Sequence, residues 1–412
     1  MSIRETAVAG QFYPANASEI EATLTKYNQI LDGYFQTHKE VASLKPKAVI
    51  VPHAGYVYSG FTANVAFRLL SHSDFKHIVV IGPSHRVYLK GTSMAMYDNY
   101  ATPLGALKTD STVMQKLKEK FALGFVPEAH HEHSTEVQMP LIKHYFPDVS
   151  VVELVYGDES PQNLAKVIEY LLTLAETAVV ISTDLSHFYD INKANKLDSI
   201  CMDAVLNRDA TLLNKGCEAC GKLGVEAMIL AAKTANLQPK LLDYRTSADA
   251  SGDKSSVVGY VSVAFVDAYK VADEDREKKK VLLKLARESI EKAVGKENHF
   301  SVDTLVEQNT WLKENGAAFV TLNTKEGALR GCIGSLVAHR KLYEDVIANA
   351  QNAALHDARF VALSNDELDN VKVEGSLLTP AEPLEYTSIE DLKSKINVGK
   401  DGIVLKQGQY QA

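Results

Sequence analysis

Apolar positions along the chain change their period several times, and each change predicts an element. Near the N-terminus Ile20, Leu24, Tyr27 and Leu31 recur at helical spacing, behind a Ser18 and Glu21 pair that reads as a capping box. After Pro46 the pattern becomes short β-branched runs: Ala48-Val49-Ile50-Val51, Ile78-Val79-Val80-Ile81, Val151-Val152-Glu153-Leu154-Val155 and Ala178-Val179-Val180-Ile181. Helical patterns over 63–70, 113–121 and 163–176 lie between these runs, and 256–266 reads as a further strand. Apolar strands alternating with helices predict an α/β domain of βαβ units, its largely parallel sheet covered on both faces.

A charged run from Asp273 to Lys280 interrupts this pattern and reads as a surface linker or a helix entrance. Beyond it, Leu282, Ala286, Ile290 and Ala293 mark an amphipathic helix, followed by strand-like 317–322, a helix over 343–355 and strand-like 371–378. The expected organisation is a first domain over 1–268, a charged linker over 269–280 and a smaller α+β domain over 281–412. Gly402-Ile403-Val404-Leu405-Lys406 reads as a strand entering a hairpin at Gln407-Gly408, so the second domain is expected to be incomplete at its C-terminal end.

Composition narrows the classes. A chain of 412 residues suits two or three domains, and 46% hydrophobic with 23% charged residues is a globular mixture. The net charge of −8, without a dense basic block, argues against nucleic acid as a partner. No apolar run reaches the roughly 18–20 residues of a membrane span, so no membrane association is expected. Four cysteines, Cys201, Cys217, Cys220 and Cys332, are too few and too scattered for a disulfide framework, and a reducing cytoplasm is the expected location.

The chemistry lies in the segments at the strand ends. The runs lead into Pro52-His53-Ala54-Gly55-Tyr56, into Gly82-Pro83-Ser84-His85, and into Ser182-Thr183-Asp184-Leu185-Ser186-His187. The carboxyl ends of strands in an open α/β sheet line the crevice where ligands bind. A lone histidine after a strand is usually an ordinary hydrogen-bonded loop residue, but three at equivalent places point to a metal site for iron, zinc or copper. His130-His131-Glu132-His133-Ser134-Thr135-Glu136 lacks the H-E-x-x-H spacing; one of His131, Glu132, His133 and Glu136 is expected to face the crevice. Ser134 is a candidate cap for a helix over 139–145.

Cys217-Glu218-Ala219-Cys220 has C-x-x-C spacing without zinc-ribbon partners. Two small packing residues are the plainer reading; the alternative is a thiolate at Cys220 stabilised by a helix start. No Walker A motif and no G-x-S-x-G is present, and 55–60 does not match a dinucleotide fingerprint. Leu329-Arg330-Gly331-Cys332-Ile333-Gly334 suggests a strand where backbones approach closely. Cys332 reads first as a buried structural cysteine and second as a nucleophile, with His339 and His356 as its only candidate partners.

Several of these stretches, in order, resemble motifs of the Memo family. They are Ala7-Val8-Ala9-Gly10-Gln11-Phe12-Tyr13-Pro14, the His53, His85 and His187 segments, Glu132-His133-Ser134 and Cys220-Gly221, which together span about 1–268. The Leu329 to Gly334 motif, with Asp357-Ala358-Arg359-Phe360 and Val373-Glu374-Gly375-Ser376, resembles the AMMECR family over about 274–412. The two families occur fused, or encoded beside a radical-SAM protein, in the grouping called the AmmeMemoRadiSam system, so a radical-SAM protein is an implied partner.

The resemblance implies a fold like that of the LigB-type class III extradiol dioxygenases. It implies His53 and His85 as metal ligands, with Asp184 and His187 lining the same pocket. Eukaryotic members offer a cysteine as third ligand in the stretch matching 244–253, where this chain has none. Asp249 is then expected to complete a two-His-one-carboxylate face suited to Fe(II), with His187 the other group for that place. The implied activity is redox chemistry of the dioxygenase type on a small molecule. His187 would be acid/base, Asp184 would orient an imidazole, Tyr56 would shape the pocket or donate a proton, and His133, Glu136 and Cys220 would meet the substrate. In the second domain Arg330 and Cys332 are the candidate functional pair. Metal-assisted hydrolysis and a non-catalytic adaptor for a peptide or the radical-SAM partner are the alternatives.

Overall fold

Buried side chains alternate along the short apolar strands and so build two cores, one on each face of a single sheet. The computed structural model describes residues 2–121 and 123–379 and, beyond them, 384, 386, 388, 392, 396, 402–404, 406–407 and 410–411. The chain forms two units, Met1–Ala272 and Asp273–Ala412. Strands of the first unit are β1 (Ile3–Arg4), β2 (Ala48–Val51), β3 (His77–Pro83), β4 (Thr92–Met94), β5 (Asn99–Tyr100), β6 (Leu107–Thr109), β7 (Ser150–Tyr156), β8 (Thr177–Ser182), β9 (His187–Tyr189), β10 (Leu237–Thr246) and β11 (Val257–Asp267).

The sheet order is β1-β5-β6-β7-β3-β8-β2-β11-β10, with β4 on β7 and β9 on β11. Its centre, β7-β3-β8-β2, is parallel, and β11 closes it antiparallel to β2. Ala48, Ile50, Val79 and Ile81 pack on one face with residues of helices Pro161–Thr173 and Lys222–Thr234. Val49, Val51, Ile78 and Val80 pack on the other with residues of helices Ala17–Thr37 and Phe61–Leu70. Each such fully buried branched residue contributes about 1.5–3 kcal/mol.

Four local expectations are corrected. The first helix is capped by Asn16, whose side chain accepts from Glu19 N at 3.0 Å. Asn16 sits in extended backbone one residue before Ala17, so Ser18 falls inside the helix and the Ser18–Glu21 box does not form. The helix Met139–Tyr145 has no side-chain cap; Ser134 Oγ instead donates to Pro83 O at 2.8 Å. Strand β10 had no sequence signal, because it is an edge strand carrying Lys240, Asp243 and Arg245 and broken by a bulge between Leu241 and Asp243. Cys201 and Cys217, both buried, form a disulfide across 16 positions, so Cys217 is paired outside its C-x-x-C motif.

In the second unit β12 (Ala317–Thr324) lies between β13 (Leu329–Gly334) and β14 (Val371–Leu378), antiparallel to both. Val320 and Leu322 meet Leu285 and Ile290 of helix Ala268–Ala293, and Val346 and Ala350 of helix Leu342–Leu355. The charged stretch 273–280 thus lies within a continuous helix. A Cβ on Gly331 would lie 2.1 Å from Ala353 O, the close backbone approach its motif suggested. At the chain's end Lys406–Gln407 pairs with Tyr410–Gln411; 402–404 are not strand, and Leu405 and Gly408 lie outside the described residues. Among the described residues no helix is long and apolar enough to cross a membrane.

Candidate metal centre

Three neighbouring parallel strands deliver the centre. Strand β8 lies between β3 and β2, with its last residue, Ser182, in register with Val51 at the end of β2. The chain leaving β2 carries His53 and the chain leaving β3 carries His85, whose ring centroids are 5.1 Å apart. Cys220 Sγ lies 3.2 Å from His53 Nε2. One donor atom from each of His53, His85 and Cys220 lies within 4.8 Å of the others, and the same holds for His85, Glu132 and His133. Two glycines permit this convergence. A Cβ on Gly82 would sit 2.7 Å from Ser134 Oγ, and one on Gly221 would sit 2.7 Å from the Thr183 side chain. Without them neither the 132–136 turn nor the Cys220 segment could lie against the strand ends.

Hydrogen-bond accounting assigns the imidazole tautomers. The single Ser182 hydroxyl proton goes to Ser134 O. Ser182 Oγ therefore accepts from Gln138 Nε2 at 3.1 Å and from His53 Nδ1 at 2.9 Å. His53 carries its proton on Nδ1, which leaves Nε2 bare and turned toward Cys220. Burial, and then the neighbouring His85 and His133, keep its pKa well below the usual histidine value. His85 is held by Glu132, which accepts from its backbone N–H at 2.6 Å and lies 3.2 Å from its Nδ1. Burial raises the Glu132 carboxyl, but the adjacent His133 imidazole and the hydrogen bonds from His85 outweigh this and hold it far below the carboxylate range. Partner carboxylates of this kind orient metal-ligating imidazoles.

Cys220 reaches the crevice through backbone pairing: its N–H donates to Asp184 O at 3.2 Å, and Asp184 N–H points at its Sγ at 3.3 Å. Burial, then the Asp184 charge, push the thiol up to about 12, so the helix-start effect expected from sequence does not prevail. Asp184 itself is pushed up to about 6 by burial. Its Oδ1 accepts from the backbone N–H of His53 at 2.7 Å, so it fixes the main chain of a ligand and not, as expected, an imidazole. His187 stands half-buried on β9, its pKa lowered by burial and influenced by the nearby His85.

Three of the expected site residues are placed elsewhere. Asp249 is exposed in the turn after β10, where its Oδ2 accepts from Thr246 N at 2.8 Å; the group brought to the two histidines is the Cys220 thiol. Tyr56 is buried and donates to Val137 O at 2.8 Å, with burial raising its pKa well above the usual phenol value, so it is a packing residue. Glu136 is wholly buried and accepts from Val8 N at 2.9 Å, Tyr13 OH at 2.7 Å and Arg4, which ties the N-terminal segment down. In the His130–Glu136 stretch it is Glu132 and His133 that face the crevice, the His133 ring lying 4.7 Å from that of His85. Ser182, Gln138 and Glu132 carried no signal strong enough to assign their roles, because each acts through a contact set by tertiary packing.

Two imidazoles and a thiol form a credible donor set for a late transition metal. Two further observations fit a cation here. His53 Nε2 is unprotonated with the Cys220 thiol, 3.2 Å away, as its partner, and buried His133 Nδ1 lies 2.8 Å from Glu132 Oε1 yet off the line of a hydrogen bond. With His85 and His133 30% and 17% exposed at their side chains, one side of the centre is open.

Comparison with known proteins places these observations. The family model for Memo-like protein matches residues 4–264, and the model for AMMECR1 matches 283–412. A MEMO1 family protein from Archaeoglobus fulgidus is 31% identical over 274 residues, covering 64% of this chain and 99% of that protein. One from Aquifex aeolicus is 31% identical over 278 residues, covering 65% and 100%. An uncharacterized protein of known structure from Pyrococcus horikoshii is 38% identical over 33% of this chain and 67% of its own, with a TM-score of 0.30.

Proposed function

Since the chain belongs to the Memo family through residues 4–264, with an AMMECR1 domain after it, we propose that it is a metal-dependent redox enzyme acting on a small molecule in the His53–His85–Cys220 crevice. The observation that carries this reading is the bare His53 Nε2, locked by Ser182 and facing a thiol 3.2 Å away at the open end of a parallel sheet. The family has the LigB-like dioxygenase fold, and an open α/β sheet binds ligands at this strand end.

His53, His85 and Cys220 would hold the ion. The thiol in place of a carboxylate moves the expected metal from an Fe(II) facial triad toward copper, with iron and zinc as competitors. A bound redox-active ion would supply one-electron chemistry and polarise a substrate oxygen. The chain's own residues do the rest. Glu132 and Ser182 keep both imidazoles turned inward, and Asp184 fixes the His53 backbone. His187, neutral near pH 7 because burial lowers its pKa, takes or returns the substrate's proton.

The test is metal analysis of protein purified without air, beside a His53→Ala, His85→Ala double variant. About one equivalent of copper or iron in the parent, absent from a folded double variant, together with oxygen uptake on aromatic substrates, supports the reading. Zinc alone, with activity in the absence of air, would replace it by hydrolysis. No metal after reconstitution removes it.

A further inference from the structure

The second unit carries a free cysteine that the metal centre does not use, and its surroundings are charged. Cys332 lies on β13, an edge strand, directly opposite Thr321 of β12. Val320 and Leu322 on either side of Thr321 belong to the core, so Thr321 and Cys332 share the face turned away from it. There Cys332 Sγ lies 3.1 Å from Thr321 Oγ1, half-buried, and not in the hydrophobic interior that the sequence favoured.

The strand edge holds a guanidinium beside this thiol. Cys332 N–H donates to Asp357 Oδ2 at 2.8 Å. Asp357 in turn receives Arg359 through Nε at 2.9 Å and Nη2 at 2.7 Å, and Arg359 Nη2 also donates to Cys332 O at 3.1 Å. One Asp–Arg pair thus occupies both outward backbone groups of Cys332. Arg359 keeps Nη1 uncommitted on a side chain that is 56% exposed. Arg330, two residues before the cysteine, spends Nε and Nη2 on Glu367 at 3.2 Å, while its Nη1 is buried without any partner. Both guanidinium groups lie beside one ring, Phe360, at 6.0 and 5.6 Å from its centroid. A buried charged donor without an acceptor is unfavourable until an anion supplies one. An edge that needed only protection from pairing would not require two arginines with donors left over.

We propose that Cys332, Arg330 and Arg359 form a second site, which takes small carboxylate-bearing disulfides and is S-thiolated by them. The Nη1 of the half-exposed Arg359 binds a carboxylate, and the Arg330 guanidinium beside it adds its charge. The Cys332 thiol loses its proton to solvent, and Sγ attacks one sulfur of the disulfide. A new S–S bond to Cys332 forms as the old one breaks, and the departing thiolate is protonated by solvent. Cys332 is oxidised and half of the disulfide is reduced, so no further oxidant is needed. Cys220 is a poor competitor, because its sulfur is already engaged inside the crevice by His53 Nε2 at 3.2 Å and by Asp184 N–H at 3.3 Å.

The experiment exposes the full chain to oxidised glutathione or to neutral bis(2-hydroxyethyl) disulfide and follows adducts by intact mass and peptide mapping. Cys332 should carry the adduct, and glutathione should react faster than the neutral reagent. Arg359→Ala should slow the glutathione reaction roughly three- to tenfold and leave the neutral one unchanged. Raising salt to about 0.5 M should do the same to the unsubstituted protein, which keeps the test decisive if the variant folds poorly. Absence of an adduct at Cys332, preferential reaction at Cys220, or equal rates for both reagents at all salt concentrations would overturn the proposal.

Discussion

The two free thiols of this chain occupy opposite settings, although each follows from the same need to satisfy backbone groups at a sheet boundary. Cys220 sits at the carboxyl end of a parallel sheet, where burial and then Asp184 raise its pKa and two imidazoles face it. Cys332 sits on an antiparallel edge, where Asp357 is turned into a support for a guanidinium. Burial, with one carboxylate added to it, makes the first cysteine a protonated donor that only a metal would readily ionise. The other brings positive charge to a thiol that faces outward. The difference shows that burial and the partner of the nearby acid, and not the cysteine's sequence motif, decide what each sulfur can do.

The strongest way to break this contrast is to exchange the roles by substitution. Cys220→Ser should lower affinity for copper, measured by competition with a chelator, by more than about a hundredfold, whereas Cys332→Ser should leave it unchanged. Equal losses would mean that the metal is not held in the His53–His85–Cys220 crevice. Next in size come the orienting groups. Glu132→Gln removes the charge that holds His85, and Ser182→Ala removes the acceptor that fixes the His53 tautomer. Each should weaken copper binding about ten- to a hundredfold. Ser182→Ala should in addition move the His53 proton from Nδ1 to Nε2, read by nitrogen chemical shifts in metal-free protein. An unchanged tautomer would show that Ser182 does not set it.

What the sequence disclosed, and what it hid, divides along the same line. The strands ending at Val51 and Ser182, and the one running to Pro83, were legible because an apolar run followed by a turn and a histidine is a local pattern. The expectation that His53 and His85 meet at one crevice came from their place just after the carboxyl ends of strands. The third group was not local. Cys220 arrives from a segment before a helix, through pairing with Asp184, while Asp249 looked suitable only because it lies in the stretch where the resemblance implied a third ligand. Within 130–136, Glu136 follows Glu132 by four positions. One turns to His85 and the other to the N-terminal segment, and nothing in their spacing tells which is which. Strand β10 stayed hidden because a charged edge strand lacks the apolar signal of the buried ones. In the second unit 371–378 was plain by its pattern, but the Asp357–Arg359 support for Cys332 joins residues 25 positions apart and depends on the fold.

The smallest predicted effect tests the two units by their acids. Asp198 is fully buried in the first unit, and burial raises its pKa against the pull of Ser186 N–H and the Tyr244 hydroxyl. A carboxyl raised in the folded state binds a proton that the unfolded chain has released. Its contribution is therefore complete below the ordinary aspartate value and is lost as pH rises through the folded one. Asp357 in the second unit is depressed, first by Arg359 and then by Cys332 N–H. Its contribution is present above the ordinary value and is lost as pH falls through the folded one. The Asp357 contribution should therefore rise as pH climbs to about 4 and then level off, whereas the Asp198 contribution should fall only above about pH 4. Trp311, the only tryptophan of the chain, lies in the second unit, so its fluorescence reports denaturation there. Asp357→Asn should flatten the rise of that midpoint with pH. Asp198→Asn should leave the tryptophan signal alone and flatten the opposite slope in the remaining helical signal. If both substitutions changed the same signal, the two units would unfold as one, and the contrast between their acids would carry no separate consequence for stability.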